Sequence, residues 1–223
     1  VPLNALAASF DPGDGDIADR IATAIARTGY AVLDHALPPA VVDGLFVRVS
    51  QLPETALTRA GIGREQEHQL NRFVRQDETR WLEPAHPVDT DFLGWMEQLR
   101  LGLNRHLFLG LFDYEAHYAR YTPGAFYKRH LDAFDTASRN RVLSTVLYLN
   151  PGWCSTDGGE MLLYDPADER RLLETVAPCY GRLAVFLSER FPHEVLPTRS
   201  TRYSIAGWFR VNTSVGGVVD PPR

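Results

Sequence analysis

From about Tyr114 to Val211 the chain is cut into short apolar runs by turn residues, and this pattern constrains the fold more than any other feature. The runs cover residues 116–121, 142–149, 161–164, 172–176, 183–187 and 203–211. Between them lie Pro151-Gly152, Asp157-Gly158-Gly159, Asp165-Pro166, Tyr180-Gly181 and Phe191-Pro192. Runs of this length bounded by Gly, Pro and Asp read as strands. Many such strands at near-regular spacing predict a sandwich or barrel.

The N-terminal part has a different period. Ile17, Ile21, Ala24 and Ile25 recur at helical spacing, and Thr28-Gly29 supplies a stop. Tyr30-Ala31-Val32-Leu33 reads as a short strand. A second helix is expected after Leu37-Pro38-Pro39, with Val41, Val42, Leu45, Phe46 and Val49 on its apolar face. Residues 58–80 are polar, Arg-rich and weakly periodic, which predicts a long loop or irregular hairpin of the kind that often covers a functional site. A third helix is expected over 91–111 from Phe92, Trp95, Met96, Leu99, Leu103 and Leu107. Helices first and strands later predict a mainly β, α+β fold: a jelly roll buttressed by N-terminal helices. At 223 residues the chain fits one domain. Residues 1–113 would be mostly helical support and loop, and 114–213 the β core.

Composition narrows the function. A net charge of −5 argues against a nucleic-acid partner, which calls for a basic face. The arginines at 59, 64, 72, 75 and 80 are diluted by Glu65, Glu67, Asp77 and Glu78, as in a solvated loop. No apolar run approaches the roughly 18 residues of a membrane helix, so no membrane partner is expected. Residues 1–10 lack a basic stretch followed by an apolar one, and only Cys154 and Cys179 are present. Both features predict a reduced, cytoplasmic setting.

The residues that suggest chemistry begin at His130-Leu131-Asp132. On an extended segment, side chains two apart point the same way. Alone, the pair is weak evidence and reads as a surface histidine beside a solvated or turn-forming aspartate. A second histidine at His193, in Phe191-Pro192-His193-Glu194-Val195, would complete two imidazoles and one carboxylate. That set leaves open positions on a metal and suits non-haem iron(II). Arg202 follows His193 by nine residues. The odd offset along one strand would place them on opposite faces, so His193 is expected before the strand proper. An inward arginine opening an apolar strand needs a partner, and guanidinium is a bidentate receptor for a carboxylate.

His130-x-Asp132, then His193 about sixty residues on, then Arg202, resembles the 2-oxoglutarate/iron(II) oxygenases. More narrowly, the chain resembles prolyl hydroxylases of the hypoxia-factor type. Tyr121 in Tyr121-Thr122-Pro123-Gly124, Tyr127, Tyr148 in Leu147-Tyr148-Leu149-Asn150, Gly158-Gly159-Glu160 and Trp208 also match that family. Arg75-Gln76-Asp77 with Trp81 resembles the end of the family's mobile substrate loop, whereas residues 58–73 depart from it. The resemblance implies a double-stranded β-helix in which His130, Asp132 and His193 hold Fe(II). Arg202 and Tyr148 would take the far carboxylate of 2-oxoglutarate, with Tyr121 and Tyr127 in the same pocket. It also implies O2 as oxidant, ascorbate as supporting reductant, and a protein substrate with a target proline, translation elongation factor Tu being the candidate. A hydroxylase of a free amino acid or small metabolite, and a non-catalytic metal- or ligand-binding jelly roll, are the alternatives. The other histidines, His35, His68, His86, His106 and His117, lack ligand-like spacing.

Overall fold

The computed structural model describes residues 16–59, 74–133 and 140–212. Three helices precede a set of antiparallel strands. Helix α1, Ile17–Thr28, is capped by the Asp16 carboxylate and ended by Gly29 in the left-handed region at φ 87°. Glycine adopts that conformation without a Cβ penalty. Strand β1, Tyr30–Leu33, follows, then helix α2, Pro39–Gln51. Strands β2, Thr58–Arg59, and β3, Glu78–Trp81, pair as the stem of the expected irregular hairpin. Between them, 60–73, including Arg64, Arg72 and His68, lies outside the described residues.

Helix α3 runs over Pro87–Leu107, about four residues earlier than expected at both ends. Pro87 starts it, since a first-turn position needs no N–H. Phe108, left-handed at φ 53°, stops it, and Leu111 then opens the next strand. The apolar spacing past Leu107 therefore belongs to strand β4, Leu111–Tyr121, and not to the helix.

The remaining strands are β5 Tyr127–His130, β6 Arg141–Tyr148, β7 Met161–Tyr164, β8 Leu172–Val176, β9 Leu183–Leu187, β10 His193–Val195 and β11 Arg202–Val211. They form a seven-stranded sheet ordered β1-β9-β6-β11-β4-β3-β2 and a four-stranded sheet ordered β5-β10-β7-β8. From β4 onward the chain passes back and forth between the two sheets, which is the jelly-roll arrangement.

Strand alternation gives the large sheet two distinct faces. On the outer face Tyr118, Leu143, Leu147, Val185, Ile205 and Phe209 pack with Ile21, Leu45, Phe92, Met96, Leu99 and Leu103 of the helices. On the inner face Tyr148, Ala184 and Phe186 meet Met161, Leu163 and Val176 of the small sheet. Each fully buried large apolar side chain contributes roughly 1.5–3 kcal/mol by leaving water. Packing on one face thus leaves the other free to carry polar groups.

Candidate metal and co-substrate site

Strands β5 and β10 pair antiparallel with His193 opposite His130. Asp132 follows β5 directly, and the three side chains offer ligand atoms that all lie within 4.8 Å of one another. Nδ1 of His130 is 2.8 Å from the Lys128 carbonyl oxygen, and Nδ1 of His193 is 3.0 Å from that of Phe191. A carbonyl only accepts, so each Nδ1 carries a proton, which in a neutral ring leaves the lone pair on Nε2. Those two Nε2 atoms face Asp132, at 3.5 Å from Oδ1 for His130 and 3.7 Å from Oδ2 for His193.

Packing holds the rings in place. Tyr127 stacks on His130 at 3.6 Å between centroids, and the Arg75 guanidinium covers Tyr127 at 4.7 Å. The edge of Phe186 meets His193 at 4.7 Å. Asp132 Oδ2 accepts from Ser144 Oγ at 2.6 Å, and Ser144 Oγ lies 2.9 Å from Ser188 Oγ.

Burial sets the charge states. It pushes His193 down to about 4, with the nearby His130 acting in the same direction, so the imidazole is neutral and able to bind a cation. Burial alone would raise the Asp132 carboxyl. The neighbouring imidazoles, His193 first and then His130, together with the hydrogen bond from Ser144, outweigh it and hold the group well below the usual carboxylate range. Two imidazoles and one carboxylate, held by groups around them, fit a divalent iron-type ion with open positions.

Arg202 opens β11 opposite Tyr121, and Ser204 pairs with Tyr148 on β6. All four lie on the inner face. The Arg202 guanidinium is 3% exposed and sits 4.7 Å from the Tyr121 ring and 5.0 Å from the Tyr148 ring. Its Nη1 donates to Ser204 Oγ at 3.0 Å, while its Nε and the Tyr148 hydroxyl are buried without a hydrogen-bond partner among the described residues. A buried cation beside an unpaired phenol calls for an anion with two oxygens. Gly159, at φ +77°, completes the cradle: a Cβ there would lie 2.9 Å from Arg202 Cδ. Ser144, which touches Asp132, lies four residues from Tyr148 on β6 and on the same face, roughly 13 Å along the strand.

The structure brings the candidate site residues into two groups. Arg202, Tyr148 and Tyr121 cluster at the guanidinium, whereas Tyr127 lies against His130. His193 lies on β10 of the small sheet and Arg202 opens β11 of the large one, so His193 precedes the strand of Arg202, as expected, although it is a strand residue itself. Arg75 is not in a solvated loop; its Nε is 2.6 Å from the buried Asp77. His117 is buried on β4, pushed down to about 4 chiefly by burial. It joins a row of rings running outward from Trp208, at 5.5 Å, to the half-exposed Trp81, at 5.4 Å. Arg141 covers Trp208 at 3.7 Å. Ser144 and Ser188 escaped sequence reasoning, because two serines 44 residues apart carry no signal until the sheet pairs them.

A model of the 2OG-Fe(II) oxygenase superfamily matches residues 116–210. A prolyl-4-hydroxylase of Pseudomonas putida, of known crystal structure, is 37% identical with a TM-score of 0.78, over 89% of this chain and 100% of that one. Human prolyl hydroxylase EGLN3 is 28% identical over 82% of this chain and 79% of its own length. A Trichoplax adhaerens prolyl hydroxylase in complex with a hypoxia inducible factor oxygen degradation domain peptide shares the fold, at 23% identity and a TM-score of 0.74. It is covered to 89% and covers 87% of this chain. The chain spans about half the length of the rodent and human Egl nine homolog 1 proteins that it also matches.

Proposed function

The chain belongs to the 2OG-Fe(II) oxygenase superfamily, and from that membership we propose that it hydroxylates a prolyl residue in a protein target. It is a dioxygenase of the kind that uses Fe(II), 2-oxoglutarate and O2, and its relatives are prolyl hydroxylases. The observation that carries the reading is the buried Arg202–Tyr148 pair, whose Nε and phenol oxygen lack a hydrogen-bond partner among the described residues, on the inner face of the large sheet, with His130 and His193 on strands of the small sheet.

In this reading His130 and His193 offer Nε2, and Asp132 a carboxylate oxygen, to the iron. Arg202 and the Tyr148 hydroxyl receive the far carboxylate of 2-oxoglutarate in a dry pocket, where a charge-assisted pair gains strength. When bound, the iron and co-substrate supply the oxidation of a C–H bond to C–OH, with 2-oxoglutarate leaving as succinate and carbon dioxide. The protein's share is orientation and exclusion of water. Trp208 and His117 form a buried row of rings that ends at the half-exposed Trp81, and in this reading a prolyl ring would pack at that exposed end. A peptide, as in the Trichoplax protein of the same fold, supports a protein target over a free metabolite.

The test supplies protein with Fe(II), 2-oxoglutarate, ascorbate and air, and follows a proline-containing fragment of elongation factor Tu by mass spectrometry. A gain of one oxygen on proline is expected. No gain, together with succinate formed on addition of free amino acids, would replace the protein target by a metabolite.

A further inference from the structure

We propose that Ser144 and Ser188 form a two-hydroxyl relay that positions Asp132 for metal binding, an inference that rests on the metal reading above. Ser144 Oγ is 2.6 Å from Asp132 Oδ2 and 2.9 Å from Ser188 Oγ, and both serines are buried, at 1% and 0% exposure. A hydroxyl has one proton to give. Ser144 gives its proton to the carboxylate, the shorter and charged contact, so the proton between the serines comes from Ser188. The order is Ser188 to Ser144 to Asp132, and each bond polarises the next.

Asp132 needs such a hold. It lies two residues past the end of β5, so the strand ladder does not fix its carboxylate plane. Ser144, by contrast, sits in mid-strand on β6, paired on one side with Trp208 and on the other with Phe186. Ser188 N donates to the Val142 carbonyl at 3.0 Å, which anchors the second hydroxyl to the same strand. The two serines thus transmit the rigidity of the large sheet to a ligand carried by the small one. Ser144 and Ser188 are positioning residues, acting on the metal through Asp132.

Titration of metal-free protein with Co(II), read by its visible ligand-field spectrum, tests this without turnover. Wild type should bind one ion and His130→Ala should lose it. Ser144→Ala should weaken binding about 10-fold or more, the range for removal of a partner behind a metal ligand, and change the spectrum. Ser188→Ala should change both in the same direction by less. Ser144→Thr, which keeps a hydroxyl, should restore the wild-type spectrum. Wild-type affinity and spectrum in both alanine variants would overturn the relay. Should His130→Ala bind Co(II) as wild type does, the metal reading fails first and the relay falls with it.

Discussion

Tyr148 and Arg202 are paired by what they lack. A phenol and a guanidinium, both buried and both short of a partner, are costly in an empty pocket and strong once a carboxylate arrives. Tyr148→Phe should therefore raise the KM for 2-oxoglutarate by about 10-fold, the value of one hydrogen bond to a charged group, and leave Co(II) affinity unmoved. Steady-state succinate assays with a parallel metal titration check this. His117 carries a pH signature of its own. Its folded value of about 4, set first by burial and then by Arg75 and Arg141 against the opposing Asp77, is below the ordinary 6.5. As pH falls through that window the unfolded chain takes up a proton that the folded chain refuses, so stability is lost. The loss from this one group between pH 7 and 5 is about 2 kcal/mol. Urea unfolding of wild type and His117→Gln at both pH values should show the variant losing less by about that amount.

Among the elements, Asp89 joins three. In the first turn of α3 it accepts from the Tyr118 hydroxyl of β4 at 2.6 Å, lies 2.9 Å from Arg48 Nε of α2, and accepts from Glu83 N at 2.9 Å. Asp89→Ala leaves Arg48 and Tyr118 buried without it and should cost about 3–5 kcal/mol, seen as a fall in Tm. The pattern in the sequence that best survived contact with the structure is that of β7, β8 and β9, whose short apolar runs are bracketed by turn pairs on both sides. Strands β5 and β10, four and three residues long and partly charged, have no such apolar run, and pairing alone makes them strands. Helix α3 was displaced because apolar spacing runs on past Leu107, while Phe108 turns left-handed to end the helix. The candidate metal ligands and Arg202 stood out because the chemistry proposed for them demands particular residue types; the serines behind Asp132 demand only a hydroxyl.

Over the whole molecule, one sheet serves two purposes. Its outer face is occupied by the three helices, and its inner face, closed by the small sheet, carries the charged and aromatic groups of the site. No described helix is long and apolar enough to cross a membrane, and both cysteines are free thiols. The central claim is that His130, Asp132 and His193 hold iron while Arg202 and Tyr148 hold 2-oxoglutarate. Its most direct test is succinate formation from 2-oxoglutarate under air, with and without iron(II), in wild type, His130→Ala and Arg202→Ala. The account predicts iron-dependent succinate in wild type, none above background in His130→Ala, and activity in Arg202→Ala only at high co-substrate. Succinate formed by His130→Ala at the wild-type rate would contradict it.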